Sequence, residues 1–63
     1  MTITLQLELE RKTKRALRYR ELDDGGAPIK SDLAHVGTVY VRKSAFNGEE
    51  PKKISIAISA DER

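Results

Sequence analysis

From Thr2 to Glu10, Ile3, Leu5, Leu7 and Leu9 occupy every second position, with polar residues between them. A strand with one buried face produces that period of two, and a helix does not. The pattern returns near the other end, where Ile54, Ile56 and Ile58 alternate with Ser55, Ala57 and Ser59. Ala16-Leu17-Arg18-Tyr19-Arg20-Glu21-Leu22 alternates as well, and Val36-Gly37-Thr38-Val39-Tyr40-Val41-Arg42 is rich in β-branched and aromatic residues. The expected fold is all-β: a four-stranded antiparallel sheet of two hairpins. Apolar groups on both parities of residues 36–42 predict a third strand covered on both faces. The last strand is expected over Lys53 to Ser59, with Asp61-Glu62-Arg63 as a frayed end.

Facing patterns also predict a register for the first hairpin. Leu9 opposite Leu17 and Leu7 opposite Tyr19 put the apolar side chains on one face and set Glu8 against Arg18 on the other. That register needs an odd loop centred on Thr13. Lys14 is a poor left-handed residue, so a longer connection or a bulge is expected there. Asp23-Asp24-Gly25-Gly26-Ala27-Pro28 is a strong breaker, and residues 23–35 read as a long connection. At most, Ser31-Asp32 would cap one turn around Leu33. Asn47-Gly48 and Pro51 mark turns, and Ser44-Ala45-Phe46 is expected to fold Phe46 back over the sheet edge.

The expected apolar face carries Ile3, Leu5, Leu7, Leu9, Leu17, Tyr19, Val39, Val41, Ile54, Ile56 and Ile58. Such a face must be covered. The chain has 63 residues, which suits a single small β domain spanning 1–63, and a chain of this size buries only about 60% of its unfolded surface. Without cysteine there is no disulfide or thiolate zinc site, and His35 is the sole histidine. Homodimerisation, or closure into a small barrel, is the remaining way to cover the face. No signal-like segment or apolar run of membrane-spanning length occurs, so a cytoplasmic protein with no membrane partner is expected.

Catalytic and metal chemistry have little support. Ser31, Asp32 and His35 have the side-chain types of a hydrolase triad, but neither a nucleophile elbow nor a glycine-built oxyanion hole accompanies them. Asp23 and Asp24 precede Gly25-Gly26 and read as turn residues rather than calcium ligands. No catalytic residue, metal ligand or cofactor is expected, and the chain reads as a non-enzymatic binding module.

Charge distribution is more informative than the net charge of +2. Arg11, Lys12, Lys14, Arg15, Arg18 and Arg20 fall in one run containing no acid. Arg18 and Arg20 would project from the face opposite the apolar one, with the other four clustered at the hairpin tip. A ribbon of that kind can track a phosphate backbone, and Tyr40 has the parity of a stacking platform on the same outer face. Lys43, Lys52 and Lys53 would extend the surface. Glu8, Glu10 and Glu21 are expected to neutralise part of it. DNA or RNA is therefore the expected partner. The alternative is a solvated hairpin with a protein partner bound at an open strand edge or at the 43–53 loop.

Four segments carry a resemblance: Glu10-Arg11-Lys12-Thr13-Lys14 with Arg18-Tyr19, Gly37-Thr38-Val39-Tyr40-Val41, Pro51-Lys52-Lys53-Ile54-Ser55-Ile56, and the alternating start. In these the chain resembles a set of short bacterial all-β proteins of unassigned function. The resemblance implies a fold and brings no catalytic residue with it.

Overall fold

The computed structural model describes residues 1–61. Strands β1 (Thr2–Lys12), β2 (Ala16–Glu21), β3 (Thr38–Arg42) and β4 (Lys53–Ser59) form one antiparallel sheet, with a 3-10 turn at Lys43–Phe46 before β4. The sheet curls into a half-barrel. The all-β, four-stranded reading holds, including both bounds of the last strand. Glu62 and Arg63 of the expected frayed end lie outside the described residues.

The order across the sheet is β3-β2-β1-β4, so the expected second hairpin does not form. Instead β4 returns past the first hairpin to pair with β1, the strand order of a Greek key. Phe46 explains much of this route. The 3-10 turn carries it onto the apolar face, where its ring meets that of Tyr19 edge-on at 6.2 Å. Asn47 then turns the chain in the left-handed region, at φ 54°. The Tyr19 hydroxyl donates to the Pro51 carbonyl at 2.7 Å, fixing the approach to β4 from the buried side. Burial, and then the nearby Glu50 carboxylate, push that phenol's pKa up, so it remains a donor. Tyr19→Phe should cost about 1–2 kcal/mol by leaving a carbonyl unpaired, measured as a lower urea midpoint.

Register corrects the expectation for the first hairpin. Leu9 faces Tyr19, Glu8 faces Arg20 and Leu7 faces Glu21, a shift of two residues that preserves which side chains share a face. A bulge at Glu10 is the cause, because Arg11 then pairs with Arg18 and Lys12 with Leu17. The extra residue replaces the odd loop by a tight turn over Lys14-Arg15. Thr13 N–H donates to the Ala16 carbonyl at 2.9 Å, and Ala16 N–H donates to Thr13 Oγ1 at 3.0 Å. That hydroxyl lets the turn close with neither Lys14 nor Arg15 at positive φ. The shift also gives each outward arginine of β2 an acid, since Arg20 meets Glu8 and Arg18 meets Glu10.

Leu5, Leu7, Leu17 and Tyr19 form the buried core, and Ile3, Leu9, Val39, Val41, Phe46, Ile54 and Ile56 pack around it half-buried. The curl thus covers the centre of the face within one chain and leaves its rim open, with Ile58 38% exposed. β3 is an edge strand covered on one face only: Val39 and Val41 point inward, while Thr38, Tyr40 and Arg42 are exposed. Both-face coverage was expected from its composition, but the described residues supply no second layer, and the shortest extent is 16 Å.

The connection from β2 to β3 is held by Glu21. This residue has the inward parity of Leu17 and Tyr19, and its side chain is buried. Its Oε1 accepts backbone N–H bonds from His35, Val36 and Gly37 at 2.9, 2.9 and 3.1 Å, while Oε2 lies 3.0 Å from His35 Nδ1. Gly37, the last of the three donors, adopts φ 76° and turns the chain from this site into β3. Nearer β2, Asp23 Oδ1 accepts from Gly25 and Ala27 N–H groups, the turn role its position suggested. Around Leu33 there is a single turn and no helix.

Candidate nucleic-acid interface

Pairing of β2 with β3 assembles the basic end of the sheet. Ala16 faces Arg42, and Lys43 N–H donates to the Arg15 carbonyl at 3.0 Å, so the hairpin tip and the end of β3 are stitched together. Lys14, Arg15, Arg42, Lys43 and Ser44 consequently line one concave surface of about 340 Å³. Among the described residues, Lys14, Arg15 and Arg42 make no ion pair. Lys43 lies 3.5 Å from Glu50 Oε2.

The seven residues singled out from sequence do not form one surface. Lys12 leaves the set, because the bulge turns it to the Leu17 side of the sheet, where its Nζ sits 3.0 Å from Glu50 Oε1. That contact, with help from Lys43, holds the Glu50 carboxyl below its ordinary pKa. Arg11 stays on the outer face at the bulge, opposite Arg18. Lys14 and Arg15 occupy the tip, as expected.

Arg18 and Arg20 project outward as the parity required, but both are engaged. Arg20 donates from Nε and Nη2 to Glu8 Oε1, at 3.0 and 2.6 Å. Arg18 Nε lies 3.2 Å from Glu10 Oε1. That contact lacks hydrogen-bond alignment, so the buried Nε remains without a hydrogen-bond partner. The Arg18 guanidinium also lies 5.9 Å from the ring centroid of Tyr40, its cross-strand neighbour, a residue 61% exposed. Tyr40 is therefore on the outer face, beside a cation.

Glu21 was expected to neutralise the basic run and does not. It is buried on the opposite face and already satisfied by three N–H groups and His35. An acid at the inward parity of an otherwise apolar strand was the available signal. Arg42 was also missed from the basic cluster, because only β2–β3 pairing brings it beside Arg15.

At the other end of the sheet, Ile3, Leu5, Leu22, Ile29 and Leu33 line an open hollow of about 590 Å³ whose rim includes His35 and Asp23. His35 bonds to Glu21 there, and among the described residues neither Ser31 nor Asp32 hydrogen-bonds to it, so those three do not assemble as a triad. Also among the described residues, no group of three or more His, Asp and Glu side chains is placed to hold a metal ion, and no helix is long and apolar enough to cross a membrane.

Comparison of the chain with protein-family models, with curated proteins and with solved structures finds no match.

Proposed function

We propose that this chain is a small non-enzymatic binding module of the bacterial cytoplasm, working as a homodimer, that holds the phosphate backbone of a nucleic acid against the basic end of its sheet. The observation that carries the reading is the concave cluster of Lys14, Arg15, Arg42 and Lys43, three of them free of acidic partners among the described residues. Cations gathered around a hollow attract an anionic backbone without base-specific contacts. Arg11, Arg18 and Tyr40 continue the surface along the outer face, where an exposed ring next to a guanidinium suits an unstacked base. Arg18 and Arg20 contribute after exchanging Glu10 and Glu8 for phosphate. Arg18, Arg20 and Glu8 are half-buried rather than enclosed, so a phosphate approaching the outer face can compete with each carboxylate for its guanidinium.

Titration against single- and double-stranded DNA and RNA at two salt concentrations tests this. Affinity should fall with salt at a log–log slope of about −0.7 to −0.9 per neutralised phosphate. Lys14→Ala, Arg15→Ala and Arg42→Ala together should flatten that slope and weaken binding at least tenfold, with an unchanged melting curve because all three side chains are exposed. A triple variant that binds like the parent, or binding indifferent to salt, would end the nucleic-acid reading.

A further inference from the structure

Edge strands are normally protected by charge, proline, a bulge or short length. β3 is short, ends on Arg42 and is followed directly by Lys43. β4 carries charge only at its start, in Lys53 after Pro51 and Lys52. From Ile54 to Ala60 it carries no charge and no proline, and its register with β1 runs unbroken from Ser59 to Lys53.

The hydrogen-bond parity shows what this edge offers. Leu9 N–H donates to the Lys52 carbonyl, and Ala60 N–H donates to the Met1 carbonyl. In an antiparallel ladder every second residue bonds to a given neighbour, so Ile54, Ile56 and Ile58 bond toward β1. The N–H and C=O groups of Lys53, Ser55, Ala57 and Ser59 point away from it, along the open edge.

We propose that β4 pairs with β4 of a second copy, antiparallel, about a twofold axis at Ile56. In that register Ile56 meets its own counterpart, Ile54 meets Ile58, Ser55 meets Ala57 and Lys53 meets Ser59. Every outward main-chain group of both strands is then bonded, because the residues that exchange bonds are those facing away from β1. Centring the axis on Ser55 would set Ile58 against Lys52 on the apolar side, and centring it on Ala57 would set Ile54 against Ala60. Only the Ile56 axis gives each isoleucine an isoleucine. Charge agrees with the direction: antiparallel pairing brings Lys53 diagonally toward Asp61 of the other copy, whereas parallel pairing would stack Lys52 and Lys53 on their own counterparts. The pairing is isologous, joins the two inner faces into one apolar surface and covers Ile58 at the rim. It rests on the homodimer in the function proposed above and is independent of what the hairpin end binds.

The chain contains no cysteine, so an introduced thiol is unique. Across the axis the two Cα atoms of residue 56 form a pair without direct hydrogen bonds, about 4.5 Å apart and within the span of a disulfide. Ile56→Cys should give a disulfide-linked dimer on mild oxidation. Ile54→Cys and Ile58→Cys should each stay mostly unlinked alone and cross-link when mixed. A second measurement does not depend on a core substitution. Ala57→Pro removes an N–H that faces solvent in the monomer, as edge strands tolerate, and should shift sedimentation from dimer to monomer while circular dichroism keeps its strand signal. The proposal is overturned if the parent sediments as a folded monomer, if Ala57→Pro remains dimeric, or if Ile54→Cys links to itself as readily as Ile56→Cys. The last result would indicate packing through the sheet faces. Capture of an unrelated protein's strand at this edge by a monomeric parent would overturn it too. No nucleic acid is present in either measurement, so failure here leaves the basic cluster untouched.

Discussion

Leu7→Asp is expected to abolish the folded state. Leu7 is fully buried on β1, between Glu21 on β2 and Ile54 on β4. Removing its apolar side chain forfeits about 1.5–3 kcal/mol of transfer free energy. The new carboxylate would also be buried without a partner, beside a Glu21 carboxylate whose hydrogen-bonding capacity is already committed. At about 0.05–0.15 kcal/mol per residue, a chain of this size has only a few kcal/mol of stability to lose. Far-UV circular dichroism should show an unfolded chain at 25 °C. Leu7→Ala, with an expected cost of about 2–5 kcal/mol, separates the cavity from the charge. A Leu7→Asp protein melting like the parent would mean that the sheet's centre is not the core.

The second large effect is at Glu21. Burial alone would raise its pKa, but hydrogen bonds from Val36, His35 and Gly37 outweigh that and bring it down from 4.5 to about 2. Because the folded-state value lies below the unfolded one, the carboxylate contributes its full stability above about pH 4.5. That contribution is lost as pH falls from 4.5 toward 2. The difference corresponds to about 3 kcal/mol, comparable to the whole stability of a domain this small. Urea unfolding at stepped pH should show the midpoint falling steeply over that window. Glu21→Gln keeps the side chain's shape and removes the titration, so its curve should be weaker at pH 7 and much flatter in acid. Equal slopes for the two proteins would show that acid sensitivity comes from elsewhere, with Glu50 the next carboxylate to test. Glu21→Ala goes further. It leaves the N–H groups of His35, Val36 and Gly37 facing an empty site and should detach the connection that leads into β3.

Much of the local structure was legible in the residues because local steric and solvation preferences govern it. Period-two alternation located β1, β2 and β4, and set the face of each side chain outside the bulged end of β1. Asp23 before two glycines read as a turn and forms one. Phe46 read as folding back over the sheet and does, because a lone aromatic beside an apolar face gains most by joining it. The outward placement of Arg18, Arg20 and Tyr40 followed from parity alone.

Pairing was not legible in the same way. A shift of two residues leaves every face unchanged, so hydrophobic pattern could not distinguish Leu9–Leu17 from Leu9–Tyr19. The choice came from the bulge at Glu10 and the Thr13–Ala16 closure, which together give Arg18 and Arg20 their acids. Nor could local pattern say that β4 would bypass β3 for β1, since strand order depends on non-local contacts such as Phe46 on Tyr19 and the Tyr19 hydroxyl on Pro51. The basic site followed the same division. Lys14 and Arg15 were visible in the run, whereas Arg42 joined them through the β2–β3 ladder and Lys12 was turned away by the bulge. Away from the bulge, the alternation along each strand determined which side chains face inward and outward, because the pleat imposes it residue by residue. Tertiary structure alone decided which strands are neighbours, which edge stays open and which charges stand together, because those depend on bonds between residues far apart in the chain.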